Sequence, residues 1–382
     1  MSDTHAQTVP FVRDTMLPAA EPPIREAGAV RWLRENLFSG PVNTILTILG
    51  ILIVWFMVSH FWDWFAHSVW NAGSLAECRQ IIAERWGEGA RGACWAVIVE
   101  KHRPMLFGLY PYDQHWRLVI MMVVYLATVV ISLWPRFWNL RILVPLWIFA
   151  ALAIGILMFG GVFGLRYVPT SEWGGLPLTM LLFTGTVLIG MPIAVLLALG
   201  RRAPLPVARG VSVVFIEALR GVPLITILFV AVNVFPLFLP AGVEVNKLLR
   251  ITIGIAIFFA CYQAEVIRGG LQAIPRGQYE AAASLSLSYW QTTRRIILPQ
   301  ALRICLPAIT NHIIAAMKNT SFVIIIGLFD ILTATTAVMQ DPLWRQFYIE
   351  AYLFVAGVYL FFGYALSRYA RQVEKWIAEG RI

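Results

Sequence analysis

The chain has 382 residues, of which 59% are hydrophobic and 13% charged; 30 Lys and Arg against 21 Asp and Glu give a formal net charge of +9. That composition lies outside the range of soluble globular domains. Runs of about 20 apolar residues, the length that crosses a hydrocarbon core of about 30 Å, recur along it, and the alternating strand pattern of a membrane β-barrel is absent. The basic excess would suggest nucleic acid in another setting. Here it sits in short loops between apolar runs, where it is an orientation signal.

Residues 1–40, with Pro10, Pro18, Pro22 and Pro23, read as a polar tail. They lack the apolar core and small-residue cleavage site of a secretory signal in its usual position. Eight spanning helices are predicted after it, at 41–60, 116–134, 142–164, 176–200, 211–239, 248–268, 301–327 and 346–369, which makes the chain an all-α polytopic membrane protein. The first two predicted spans are separated by a long loop, 61–115. It opens with HFWDWFAHSVW, whose aromatics suit the headgroup interface, and continues with SLAECRQIIAERW, a candidate amphipathic cap. Cys78 and Cys94 both fall here, and an oxidising exterior would favour a disulfide between them. Two free thiols are the alternative, since spacing alone does not bring Cα atoms within bridging distance. Cys261 and Cys305 lie in or beside predicted spans, where cysteine is most often a small apolar packer.

Charge sets the expected orientation. With residue 1 inside, the inner segments carry Arg13, Arg25, Arg31 and Arg34; Arg136 and Arg141; Arg201, Arg202 and Arg209; Arg268, Arg276, Arg294, Arg295 and Arg303; and Arg368, Arg371, Lys375 and Arg381. The short outer loops hold little beyond Arg166, Lys247 and Arg345. Both termini are therefore expected in the cytoplasm, in a multi-pass bacterial inner-membrane protein surrounded by lipid. The chain divides near Glu172 into a three-helix region, 41–171, and a five-helix core, 172–371, followed by a short cytoplasmic segment, 372–382.

One stretch does not belong in a bilayer. Glu280 to Pro299 reads EAAASLSLSYWQTTRRIILP, and the whole connection 269–300 is far longer than two adjacent spans need. Its Ala-rich start and the segment from Tyr289 to Ile297 predict two short helices, the second ending at Pro299. The segment resembles the EAA motif of permease subunits of binding-protein-dependent ABC importers: EAA, three residues, Gly, nine residues, Ile-x-Leu-Pro. Glu280, Ala281, Ala282, Ile296, Leu298 and Pro299 fall in register, while Ser286 stands at the Gly position. A turn there with φ > 0 would strain a serine.

FIEALRGVPLITILF, AEVIRGGLQAIPRGQYEAA, LPQALRICLPAITN and MKNTSFVIIIGLFDIL are similar to the polar amino-acid branch of these permeases. GACWAV, FGLYP and HWR are similar to the larger permease subunit of the general L-amino-acid importers of the Aap/Bzt type. The resemblance implies a type I importer core of five helices preceded by three extra ones, with loop 269–300 seated in a separate ATPase. The partners it implies are two ATPase subunits, a second and related permease, an external amino-acid-binding protein and an L-amino-acid substrate. No cofactor is implied. With no GxxxxGK[ST] in the chain, ATP hydrolysis is expected on the separate subunit.

Intramembrane polar residues default to functional candidates. Glu217 and Arg220, three apart, share a helix face, and their spacing suits either a pair that fixes a bend near Gly221 and Pro223 or a substrate path. Lys318, with Asn319, Thr320 and Ser321, is placed near the bilayer midplane, where a buried ammonium would meet a carboxylate substrate or pair with Asp330, Glu217 or helix-end carbonyls. Glu265 and Arg268 read as a brace for the loop. His312 has no Cys, His or Asp at ligand spacing, so no metal site is expected, and no nucleophile–base–orienter set points to catalysis. The competing readings are an ion-driven secondary transporter, which often shows two related halves, and a membrane anchor that merely docks a partner.

Overall fold

The computed structural model describes residues 28–380. The prolines of the tail, Arg13, Arg25 and Arg381 lie outside the described residues. The chain divides into two compact units, Met1–His67 and Ser68–Ile382. In the first unit a short amphipathic helix, α1 (Gly28–Asn36), precedes a spanning helix, α2 (Pro41–Ala66). Pro41 suits the first turn of α2, where its missing N–H has no intrahelical partner to lose. The span extends past the predicted end at residue 60, so HFWDWFA is helical and the loop begins later.

The second unit opens with two helices outside the candidate spans, α3 (Leu75–Trp86) and α4 (Ala96–Phe107). Ser74 caps α3 by accepting from the Glu77 N–H. The Sγ atoms of Cys78 and Cys94 are bonded and the Cα atoms are 6.4 Å apart. Only α3 is predicted from the sequence; α4 carries Pro104 in its interior, which hides its helical pattern. Spanning helices α5 (His115–Leu133) and α6 (Leu140–Phe159) pack against each other as a hairpin. Fully buried Arg117 ties them: its Nε donates to Leu157 O, in the last turn of α6, at 2.7 Å and its Nη1 to Arg166 O, in the loop that follows, at 2.9 Å.

Two helices form the centre of the core, α7 (Gly175–Arg201) and α10 (Lys247–Gln272). Small residues bring them together: a Cβ on Gly190 would lie 2.8 Å from Ala256 O and 2.6 Å from the Phe259 ring. On its other side α10 meets α13 (Leu298–Asn319), where Gly270 lies so close that a Cβ would stand 2.5 Å from Ala301 O. The last spanning helix, α15 (Tyr348–Ala378), packs on α13.

The predicted fifth span, 211–239, is not one helix. α8 (Pro206–Arg220) and the segment that begins with α9 (Leu224–Phe229) and runs to Phe238 meet at 103°. Pro223 lacks an N–H and pushes Val222 out of the helical region, which breaks the rod. After α9 the chain passes through a π-turn, Val230–Val234, and a 3-10 turn, Phe235–Phe238. Among the described residues, seven helices are thus long and apolar enough to cross a membrane, and an eighth if the bent pair counts as one span.

Candidate functional site

The connection between α10 and α13 is the first functional element. α11 (Arg276–Ser284) contributes only Ala282 to the interior, so the motif residues divide: Ala282 is buried, and Glu280 and Ala281 face outward. The helix ends in a Schellman motif. Leu287 N–H donates to Ala282 O at 3.1 Å, and Ser286 N–H to Ala283 O at 2.9 Å, with Ser286 in the left-handed region at φ 54°. The turn thus keeps the glycine-type backbone, and serine adopts it. A capping box follows at once: Ser288 Oγ accepts from Gln291 N–H, and Gln291 Oε1 accepts from Ser288 N–H at 2.9 Å.

The box starts α12 (Tyr289–Thr292), and here the prediction needs correcting. The second helix does not end at Pro299. It runs through a π-turn, Thr293–Ile297, directly into α13, with Pro299 in the first turn, where a missing N–H is harmless. Ile297 is buried, Ile296 and Leu298 are half-buried, and Pro299 is exposed; with Ile274 and Ala301 these apolar residues root the loop in the core. Gln300 Nε2 donates to Gln278 Oε1 at 3.1 Å, tying α11 to α13. The outward face carries Leu285, Tyr289 and Trp290, 71%, 52% and 66% exposed, beside Arg294 and Arg295. Exposed apolar side chains rimmed by charge mark an interaction surface.

Behind the loop lies a charge cluster. Glu265 on α10 takes Nη2 of Arg268 at 2.9 Å on Oε2 and lies 2.9 Å from Nη1 of Arg201 through Oε1. Arg201 also donates to Glu217 at 2.8 Å, and Nη1 of Arg220 stands 4.0 Å from Glu265. Glu217 and Arg220 therefore do not pair with each other, as their spacing alone allowed; α8 ends against the last turn of α7 and against α10, which supply nearer partners. Arg220 also lies over the Tyr262 ring, 5.2 Å from its centroid. The i,i+3 pair Glu265–Arg268 is present.

The third element is the end of α13. Lys318 occupies the helix's last turn, exposed and, among the described residues, without an ion-pair partner; it is not a buried ammonium paired to Asp330 or Glu217. Asn319 closes the helix, Thr320 is buried with its hydroxyl on Met317 O at 2.8 Å, and Ser321 donates to Lys318 O at 2.6 Å. These hydroxyls turn the α-helix into the 3-10 segment Thr320–Ile326. Asp330 instead caps α14 (Ile331–Val338), accepting from Thr333 N–H at 2.9 Å; burial pushes its carboxyl up, and the Thr333 bonds oppose that.

At the other end of the bundle the α3–α4 cap is fastened to the segment between α14 and α15 and to the first turn of α15. Lys101 Nζ lies 2.9 Å from Asp341 Oδ2, Leu75 N–H donates to Leu343 O at 3.1 Å, Arg79 bonds Gln346, and Cys94 N–H donates to buried Glu350 at 2.8 Å. The hydrogen bond from Lys101 holds the Asp341 carboxyl below the ordinary aspartate range.

A bundle of apolar spans with a bent pair and a long, solvent-facing helical connection is the architecture of a membrane transporter component. Residues 190–379 match the family described as binding-protein-dependent transport system inner membrane component, and the chain belongs to it as an amino-acid ABC transporter permease of the Bzt type. It is 39% identical, over 98% of its length and 98% of the relative's, to the glutamate/glutamine/aspartate/asparagine transport system permease protein BztC of Rhodobacter capsulatus. It is 41% identical, over 92% of its length and 94% of the relative's, to the inner membrane amino-acid ABC transporter permease protein YhdY of Escherichia coli K12. A crystal structure of an amino acid ABC transporter with histidines aligns with 53% of this chain and 91% of its own, at 31% identity and a TM-score of 0.46.

Proposed function

We propose that this permease carries L-amino acids from the periplasm to the cytoplasm and is driven through the connection 269–300 by ATPase subunits that dock on it. The single observation that carries the coupling role is the loop's construction: an outward helix, a Schellman turn and a capping box, continuous with a spanning helix. In this reading Glu280, Ala281 and Ser286 meet the ATPase, Ala282, Ile296 and Leu298 hold the loop in the core, and Pro299 starts the spanning rod. Two ATPases dimerise on ATP beneath two permeases, this one and a related, non-identical partner, and a loaded binding protein docks on the opposite face. Two states biased from both ends give alternating access. The placement of Arg and Lys supports both termini in the cytoplasm.

Glu217 and Arg220, at the bend, and Lys318, Asn319, Thr320 and Ser321, at the end of α13, are the candidate substrate path. The exposed ammonium of Lys318 suits a carboxylate in transit. The names of the relatives support polar and acidic amino acids as the substrate class. The test is uptake in proteoliposomes with ATP inside, binding protein outside and no ion gradient. Uptake should proceed, and Glu280→Lys should leave ATP hydrolysis running while uptake falls at least tenfold. Uptake that needs an ion gradient, or normal coupling in Glu280→Lys, would overturn the reading.

A further inference from the structure

At the end of the bundle away from the connection, an open cavity of about 590 Å³ lies beside the start of α10. That is within the range of small-ligand clefts. Its lining includes Pro236, Leu239, Glu244, Asn246, Lys247 and Arg250. Both cations are held by carbonyls that broken helices leave free. Arg250 Nη1 donates to Val232 O at 2.7 Å and to Ala231 O at 3.3 Å. Val232 O would normally accept from residue 236, but Pro236 has no N–H. Lys247 Nζ donates to Ile326 O at 2.6 Å, an orphan carbonyl at the end of the 3-10 segment.

Neither cation has a carboxylate partner among the described residues, and Arg250 Nε is buried without a hydrogen-bond partner. Charged groups in such a position are costly unless something pairs with them. Glu244, exposed and making no ion pair among the described residues, lines the same cavity. The carbonyls that hold Arg250 belong to a π-turn, Val230–Val234, a feature common at functional sites.

We infer that this cavity is an entrance site for a free amino acid with an anionic side chain, resting on the import function proposed above. The lining offers two fixed cations and one carboxylate. An acidic amino acid offers two carboxylates and one ammonium. In the complementary arrangement Arg250 and Lys247 take the two carboxylates and Glu244 takes the ammonium. Asn246, already bonded through Nδ2 to Thr170 at 2.8 Å and through Oδ1 to Leu248 N–H, fixes the rim. A neutral side chain leaves one cation unmatched, so the site discriminates by charge.

The test titrates L-glutamate and L-glutamine calorimetrically into the assembled importer without its binding protein. The same preparations are then assayed for uptake in proteoliposomes. Glutamate should bind more tightly than glutamine, and Arg250→Gln should weaken glutamate about tenfold or more and narrow the difference between the two. Arg250→Lys should restore part of it. Glu244→Gln, an exposed change that leaves the fold intact, should weaken both ligands and keeps the test decisive if Arg250→Gln does not assemble. Wild-type uptake together with equal glutamate binding in wild type and Glu244→Gln, or with no binding by wild type, would overturn the site alone. Failure of wild-type uptake would instead overturn the import reading.

Discussion

Arg201, in the last turn of α7, and Glu265, on α10, face each other across 2.9 Å, and through Glu217 the same arginine reaches α8. Three guanidiniums and two carboxylates thus hold three helices together directly behind the α10–α13 connection. Glu265 is the member on which they converge, its side chain 15% exposed against 54% for Glu217. Removing one partner of a desolvated pair leaves uncompensated charge, whereas an exposed pair contributes little. Glu265→Gln should therefore lower the melting temperature by several degrees and reduce uptake more than ATP hydrolysis, and Glu217→Gln should do neither to the same extent. Parallel melting, ATPase and uptake measurements check this, with Glu265→Asp as the partial rescue.

Ser286 holds φ at 54°, a region that disfavours a side chain by about 1 kcal/mol or more. Ser286→Gly should relieve that strain and slow amide exchange across 282–291. Ser286→Val should do the reverse and weaken ATPase docking. Hydrogen exchange of the assembled complex reads both.

Cys78 and Cys94 close a loop across a separation of 16 residues. Constraining a loop of that size contributes about 3 kcal/mol on chain entropy. Reduction, or Cys78→Ser with Cys94→Ser, should loosen α3 and α4 while the spanning helices persist. Limited proteolysis should cut within the cap first, with helicity by circular dichroism nearly unchanged.

Asp341, held low by the hydrogen bond from Lys101, gives a pH signature. A carboxyl whose folded value lies below its unfolded one stabilises fully above the unfolded value, near 4, and loses that contribution as pH falls through the folded value. Attachment of the cap should be flat from pH 7 to about 5 and weaken below about 4. Lys101→Met should remove most of this dependence, which proteolysis as a function of pH would show. The pair is partly exposed, so the effect is modest.

Long apolar runs made the spanning helices legible in the sequence, but α2 runs on to Ala66 and α15 to Ala378, past the expected ends at 60 and 369, because helix-forming polar and aromatic residues continue each rod beyond its apolar stretch. The break at Pro223 was visible as a residue but not as a 103° turn, because the turn depends on where the following segment finds packing. The partners of Glu217 and Arg220 were hidden for the same reason: Arg201 belongs to another helix, and i,i+3 spacing favours the wrong answer. Pro299 looked like a stop but is also a good first-turn residue, and only the π-turn before it decides between the two. Lys247 counted in the sequence merely as an orientation charge, and Arg250 had no local partner to signal its role; carbonyls freed far along the chain give both their meaning.

The unbroken run from α12 to Ile326 has a mechanical consequence. It is 38 residues long, about 57 Å at 1.5 Å per residue. Its close crossing with α10, Gly270 against Ala301, lies about 18 Å from the loop end and about 38 Å from the other. A rod pivoting there is a lever with unequal arms, on which a 2 Å push at Tyr289 becomes about 4 Å at Ile326, with Lys318 carried along the longer arm.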